Sequence, residues 1–226
     1  GMLVRGAVLP DDSAHQGYHA AGFAMVFPQR TGLSRAYYVC PRDEARRIQA
    51  AGPETFLACV AATFPAEAFA HATPAGPMGF FPGADVVADR IAAPGAVLIG
   101  DAASANDPSQ GHGLSLVFRD VRVLRDLLVD RPSPEALPDA FAGRRSAYYG
   151  VLREHARWAA PLATGTGERF DALRAQVARA REVDPSAGGF ALLFATGPDG
   201  LAVDERARAH FFGEDLPEAT VFGAPW

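Results

Sequence analysis

Hydrophobic residues change their spacing along the chain, from strand-like in the first part to helical later. Between Gly17 and Cys40, two runs of aromatic and aliphatic residues flank the polar residues 29–32, which is typical of a β-hairpin. From Pro41 to about Phe64 the apolar positions recur at helical spacing on either side of Gly52-Pro53, so two short helices are expected. The Pro- and Gly-rich residues from His71 to Gly83 predict an irregular loop.

The middle of the chain has the pattern of a strand, a loop and a helix. Residues Gly95 to Gly100 form an apolar run without alternation, which predicts a strand covered on both faces inside a layered α/β region. From Gly111 the pattern becomes helical, and Arg131-Pro132-Ser133-Pro134 is expected to end that helix. Its apolar positions fall on one broad face: Leu114, Val117, Phe118, Val121, Leu124, Leu127 and Leu128.

The last third of the chain is predicted to be mostly helical. Helical spacing continues to at least Glu182, and a less regular tail ends at Pro225-Trp226. Gly165 and Gly167 lie inside this region, but the third glycine of a dinucleotide-binding loop is missing after them. This pair therefore predicts a turn between two helices.

Composition and charge exclude several classes of protein. With 226 residues, 49% of them hydrophobic, the chain can bury the core of one or two globular domains. The formal net charge is -5 and there is no basic run, which argues against a nucleic-acid partner. No apolar run is long enough to cross a bilayer, and no signal-peptide layout is present. We therefore expect a cytoplasmic protein without a membrane partner.

Metal and thiol chemistry are not indicated by the sequence. Cys40 and Cys59 are too few for a disulfide scaffold and lack the spacing of a zinc site. None of the six histidines belongs to an HExxH motif. Arg30 and Arg35 flank the predicted hairpin turn, where a solvated role is expected rather than contact with a substrate carboxylate or a cofactor phosphate.

Hydrolase chemistry is also not indicated, although serine, histidine and aspartate occur together. Ser104, Ser109 and Ser115 lie close in sequence to Asp101 and His112. The chain has no GxSxG motif to present one of these serines on a nucleophile elbow. No catalytic side chain is assigned.

The residues most informative about function lie between Val97 and Leu128. Asp101 follows the predicted strand, where open α/β sheets bind ligands, and its carboxylate can accept a hydrogen bond from a sugar-like hydroxyl. Gly111 and Gly113 allow the backbone to approach a flat ligand. The free amides at the start of the next helix favour negative charge.

This segment resembles the second FAD-binding motif of flavin-dependent monooxygenases of the para-hydroxybenzoate hydroxylase type, in which GD is followed by PxxGxG and a helix. The resemblance implies that Asp101 hydrogen-bonds the ribityl chain of FAD, while Pro108 and the backbone from Gly111 to Ser115 run beside the isoalloxazine ring. It assigns to cofactor binding Gly100, Asp101, Ala102, Pro108, Gly111, His112, Gly113, Leu114 and Ser115. Two positions depart from the pattern, since many relatives have His in place of Ser104 and Asn in place of Ser115.

The resemblance implies an α+β fold with three parts. Residues 2–92 would form a partial substrate-binding domain with a hairpin sheet, residues 93–130 a strand, the flavin loop and a helix, and residues 131–226 a helical region. These enzymes open with GxGxxG on a Rossmann half, and the sequence contains no such motif. With Gly1 interpreted as a tag remnant and Met2 as the start, the chain is expected to be the C-terminal part of such an enzyme.

The function implied is that of an FAD-dependent monooxygenase or related oxidoreductase. It would use NAD(P)H and O2 on an apolar organic substrate, aromatic compounds included. The alternative is a truncated, flavin-free binding module or a subunit that associates with a separate Rossmann half, and catalysis by this chain alone stays open. A strand that is apolar on both faces needs other elements packed against each face, so we expect a homodimer or a bound N-terminal half.

Overall fold

The computed structural model describes residues 1–19, 22–83, 85–108, 111–130 and 133–215. The chain forms two compact units. The first consists of Gly1–Phe81 and Ala160–Ala172, and the second of Pro82–Ala159 and the residues from Leu173 onward. Antiparallel strands and helices both contribute, which confirms the predicted α+β class.

The first unit is built on a five-stranded antiparallel sheet. Its strands are β1 (Met2–Arg5), β2 (His15–His19), β3 (Gly22–Pro28), β4 (Leu33–Val39) and β5 (Thr73–Pro74), in the spatial order β2-β3-β4-β1-β5. Strands β3 and β4 pair with Phe27 opposite Arg35, so the predicted hairpin is confirmed. Its turn contains Arg30 and Gly32, whose φ angles are 57° and 70°, and glycine adopts such angles without a steric penalty.

Three helices cover one face of this sheet: α1 (Arg42–Ala51), α2 (Pro53–Ala61) and α3 (Ala66–Phe69). The core contains Met2 and Val4 from β1, Ile48 from α1, and Phe56 and Val60 from α2. The break between α1 and α2 lies at Gly52, and Pro53 occupies the first turn of α2, where its missing N–H costs nothing. The two predicted helices are thus confirmed, and residues 71–83 are irregular apart from β5.

The predicted strand over Gly95–Gly100 is wrong in its extent and its burial. Only Ala96–Val97 forms a strand, β8, which pairs antiparallel with β7 (Ala92–Ala93). Pro94 and Gly95 form the turn between them, with Gly95 at φ 75°, as a Pro-Gly turn favours. Ala96 and Leu98 are exposed, so within the described residues nothing covers this run on both faces.

Helices dominate the second unit. They are α4 (Gly113–Asp130), α5 (Leu137–Thr164), α6 (Glu168–Val183), α7 (Phe190–Thr196) and α8 (Glu205–Phe212), with α5 and α6 belonging partly to the first unit. Two short strands, β6 (Val86–Val87) and β9 (Ser104–Ala105), pair antiparallel beside them. The turn predicted at Gly165 and Gly167 joins α5 to α6. Of the predicted helix stop, residues 133 and 134 lie outside any helix and residues 131–132 lie outside the described residues, as does the tail from 216.

Helix α4 buries a narrower stripe than its hydrophobic pattern covers. Its buried residues are Leu116, Asp120 and Leu127. Large apolar side chains on the predicted face are exposed: Leu114, Phe118, Val121 and Leu128. None of the helices in the described ranges combines the length and apolarity required of a membrane span.

Candidate functional site

The first half of the motif folds into a short 3-10 turn, Gly100–Ala102, that packs against α4. Gly100 is buried with φ 55°, in the left-handed region that glycine tolerates best. A Cβ atom at this position would lie 2.8 Å from Cγ2 of Val117. Only glycine therefore lets the turn approach the helix this closely.

A buried carboxylate on α4 binds the backbone of this turn. Asp120 is 0% exposed, and its Oδ2 accepts hydrogen bonds from the backbone N–H of Gly100 at 2.8 Å and from Nε of Arg145 at 3.1 Å. The hydroxyl of Tyr148 donates to Oδ1 of the same carboxylate. Burial, and after it this hydrogen bond, raise the pKa of Tyr148, so the phenol stays protonated and acts as a donor.

The buried guanidinium of Arg145 connects this carboxylate to the residues that follow the turn. Its Nη2 donates to Oγ of Ser104 at 2.7 Å, and its Cζ lies over the ring of Tyr149, 4.7 Å from the ring centre. The hydroxyl of Tyr149 donates to Oδ1 of Asn106 at 2.8 Å. Sequence reasoning missed this network, because a helical pattern assigns isolated Asp and Arg residues to the solvent side. The one sequence feature that pointed to a buried carboxylate was the position of Asp120 within the apolar stripe of the helix.

The second half of the motif forms the open N-terminal end of α4. Gly111 has φ 67°, and a Cβ added at Gly111 or Gly113 would meet nothing within 4 Å. The first turn of α4 contains no acidic side chain, and the earliest amides of an α-helix have no acceptor within the helix. Ser109 and Gln110, which belong to the motif, lie outside the described residues.

A small cavity lies beside this end of the helix. Its volume is about 10 Å³, which is enough to hold about one water molecule. It is lined by Asp85, Asn106, Asp107, His112, Leu152, Arg153 and Ala156. Nδ1 of His112 is buried and has no hydrogen-bond partner among the described residues. Burial lowers the pKa of His112, while the charges of Asp85 and Asp107 act to raise it.

Most residues assigned to cofactor binding lie at an exposed edge of the second unit. Gly100 is buried and His112 and Gly113 are half-buried. The others are exposed: Asp101, Ala102, Pro108, Gly111, Leu114 and Ser115. Because the turn packs on α4 and Gly113–Ser115 begin the same helix, the structure brings the two halves of the motif onto one element.

Ser104 is engaged by Arg145 and is 1% exposed, which leaves it no access to a substrate. The part of the chain that the structure describes contains no group of three His, Cys, Asp or Glu side chains able to hold a metal ion.

Comparison with known proteins identifies the family to which this segment is similar. Residues 59–149 match the family model of squalene epoxidase. Squalene epoxidase 2 of Arabidopsis thaliana is 42% identical over 62 residues, 27% of this chain and 11% of that protein. Squalene epoxidase 3 of the same plant is 38% identical over 74 residues, 31% of this chain and 14% of that protein. The resemblance to the C-terminal part of flavin-dependent monooxygenases is confirmed.

Solved structures show that the monooxygenase-like fold extends beyond the matched segment. A triple mutant of the flavin-dependent brominase Bmp2 aligns with a TM-score of 0.64 at 18% identity, over 93% of this chain and 52% of its own. PqsL, a probable FAD-dependent monooxygenase from Pseudomonas aeruginosa, aligns with a TM-score of 0.50 at 21% identity, over 76% of this chain and 50% of its own. The chain thus spans about half the length of these proteins.

The residues at the monooxygenase-like loop fit a flavin. The space above Gly111 and Gly113 is open, so a flat ring can approach the backbone there. The start of the 18-residue helix α4 favours negative charge on a ligand. Asp101 presents an exposed carboxylate on the adjacent turn, which suits a ribityl hydroxyl. These features are complementary to a ligand with a flat ring, an anionic edge and a hydroxylated chain.

Proposed function

We propose that the chain is the flavin-loop portion of an FAD-dependent monooxygenase or related oxidoreductase. Its substrate would be an apolar organic compound, with NAD(P)H as reductant and O2 as oxidant. The observation that carries this proposal is the open glycine loop at the N-terminus of α4, within the segment that matches squalene epoxidase. Bound FAD would supply the redox chemistry that protein side chains lack.

The chain's own residues would bind and orient the cofactor. Asp101 would accept hydrogen bonds from the ribityl chain, and Pro108 would lie against the ring. The amides from Gly111 to Ser115 would stabilise negative charge on the pyrimidine edge of the reduced flavin. No side chain of this loop would act as a general acid or base, because the family resemblance assigns the oxygen chemistry to the flavin.

The colour and redox behaviour of the purified chain test the proposal. We expect a yellow protein, or one that becomes yellow with added FAD, whose flavin absorbance is bleached by NAD(P)H without air and restored by O2. Reoxidation should be accompanied by hydroxylation or epoxidation of a small apolar compound. A folded, colourless chain that does not take up FAD would contradict catalysis by this chain alone.

The exposed apolar face of α4 supports a second candidate, an association through this helix. Leu114, Phe118 and Leu128 are 68%, 62% and 58% exposed, and contiguous apolar surface of this kind marks interaction sites. We infer that either a second copy of this chain or a separately supplied Rossmann half packs here. If the chain binds no flavin, this association makes it a binding subunit.

Sedimentation of wild-type chain and of the Phe118→Ser variant tests this association. We expect a concentration-dependent dimer, or a complex with a co-purified partner, that Phe118→Ser weakens. Val203→Ser, which changes a 43% exposed apolar residue outside α4, is the control and should have no effect. A strictly monomeric, well-folded wild-type chain without a partner would contradict the prediction.

A further inference from the structure

Among the residues that the structure describes, Arg145 has the largest fully buried side chain, 1% exposed, and its ion-pair partner Asp120 is 0% exposed. Burying two charges costs free energy, and such a pair is often no more stabilising than apolar residues of the same size. Packing of α4 against α5 alone therefore does not explain the pair. The hydrogen bonds that it makes outside these helices are more informative.

These bonds are directed at the predicted flavin loop. Asp120 accepts the amide of Gly100, and Arg145 donates to Ser104. Tyr149, under the guanidinium plane, donates to Asn106. Each of the three contacts joins a residue of α4 or α5 to a residue between 100 and 106.

We propose that Asp120, Arg145, Tyr148 and Tyr149, together with Ser104, form a loop anchor that positions the flavin-binding backbone. The proposal rests on the function proposed above. The anchor holds Gly100 immediately before Asp101, and Asn106 immediately before Asp107-Pro108. The positions of Asp101 and of the chain that leads into Pro108 are therefore set by side chains that do not touch the cofactor.

The chemistry of the anchor suits this task. The planar guanidinium of Arg145 has donors in a fixed fork, so its bonds to Asp120 and Ser104 fix one relative orientation. The Tyr149 ring, which lies under the guanidinium, restricts the orientation of that group further. Tyr148 satisfies a further acceptor position of the carboxylate, so that the buried charge is fully bonded. These residues are positioning residues.

Amide hydrogen exchange of peptides covering residues 98–108 tests the anchor without any ligand. Tyr148→Phe and Ser104→Ala each remove one hydroxyl from the anchor. We expect each to speed exchange in these peptides roughly tenfold, as the loss of one hydrogen bond to a charged group implies. Leu127→Ala, a buried change on the same helix, is the control and should lower overall stability without a selective effect on these peptides. Equal exchange in wild type and both hydroxyl variants would overturn the proposal.

Titration with FAD itself tests the link to the cofactor. We expect Tyr148→Phe and Ser104→Ala to weaken FAD binding by roughly tenfold, and Leu127→Ala to leave it within twofold of wild type. Unchanged FAD affinity in both hydroxyl variants would overturn the positioning role. If the wild-type chain does not bind FAD, the proposed function fails, and with it the link to the cofactor; the exchange experiment still decides whether the anchor orders the loop.

Discussion

At the scale of single residues, the site separates exposed groups that can meet a ligand from buried groups that support them. Asp101 and Ser115 are exposed. By contrast, Gly100, which precedes Asp101, and Asp120, on the same helix as Ser115, are buried. A carboxylate on an exposed turn can reach a ligand hydroxyl without a large desolvation cost. Substitutions at exposed positions should therefore act on binding directly, whereas substitutions at buried positions should act on stability and reach binding only through the order of the loop.

Asp101→Ala is expected to weaken FAD binding without unfolding the chain. A hydrogen bond from a hydroxyl to a carboxylate contributes roughly 1.5 to 3 kcal/mol, which corresponds to an increase in Kd of about 10- to 100-fold. Flavin fluorescence titration measures this. Asp89→Ala, another exposed aspartate of the second unit, should leave Kd unchanged, and an unchanged Kd in Asp101→Ala would refute the assigned role.

Gly100→Ala is expected to destabilise the protein, and Gly143→Ala is expected to stabilise it. The first change forces alanine into φ 55° with its Cβ 2.8 Å from Val117, and the left-handed conformation alone costs roughly 1 to 2 kcal/mol. Gly143 lies inside α5 with open space around it, where alanine adds roughly 0.5 to 1 kcal/mol of stability. Urea unfolding of both variants checks the opposite signs.

His112 should make stability depend on pH below neutrality. Burial lowers its pKa in the folded protein below the ordinary value of 6.5. As the pH falls through 6.5, the unfolded chain binds the proton before the folded chain does, so the free energy of unfolding decreases. Burial acts in the same direction on His155, so His112→Gln should reduce the loss of stability between pH 7 and pH 5 but not abolish it.

Urea unfolding at several pH values measures this dependence. His71→Gln changes an exposed histidine and is the matched control, which should keep the wild-type pH dependence. If His112→Gln and His71→Gln both follow the wild-type curve, burial of His112 does not contribute.

At the scale of elements, the sequence pattern predicts those whose stability is local and misses those that depend on distant partners. The hairpin β3–β4 and the helices α1 and α2 follow from alternation, helical spacing and the Gly52-Pro53 break. The two-sided strand at 95–100 was wrong, because continuous apolar character predicts burial only where neighbouring elements supply a cover. In the described residues this run has only the two-residue partner β7.

The loop anchor could not be predicted for a related physical reason. Asp120 and Arg145 are 25 residues apart on different helices, and neither forms a motif with its sequence neighbours. Hydropathy assigns both to the surface, whereas mutual pairing and three further hydrogen-bond partners allow their burial. By contrast, the turn at Gly111 and the start of α4 could be predicted, since the glycines and the helical pattern are contiguous in sequence.

The packing of α4 against α5 should depend on charge balance. Arg145→Met leaves a buried, unpaired carboxylate and should cost roughly 3 to 5 kcal/mol of stability. Adding Asp120→Asn removes that charge and should restore part of the loss, so the two effects will not add. Chemical unfolding of both single variants and the double variant measures the coupling. Arg125→Met, which breaks an exposed pair, should change stability by about 1 kcal/mol or less.

At the scale of the whole molecule, the two units divide the chain by type of structure. The first carries the antiparallel sheet and its three covering helices, and the second carries the proposed flavin loop, the proposed loop anchor and the exposed face of α4. All the residues assigned to FAD belong to the second unit. The sequence contains no GxGxxG motif for the ADP half of the cofactor, so the loop would supply the contacts to the isoalloxazine and ribityl parts.

Titration of FAD with the purified wild-type chain, followed by flavin fluorescence and visible absorbance, decides whether this loop binds a flavin. We expect saturable binding of one FAD per chain, with a flavin spectrum shifted from that of free FAD by the ring's contact with the 111–115 backbone. A folded chain that leaves the spectrum and fluorescence of FAD unchanged at saturating concentrations would contradict it.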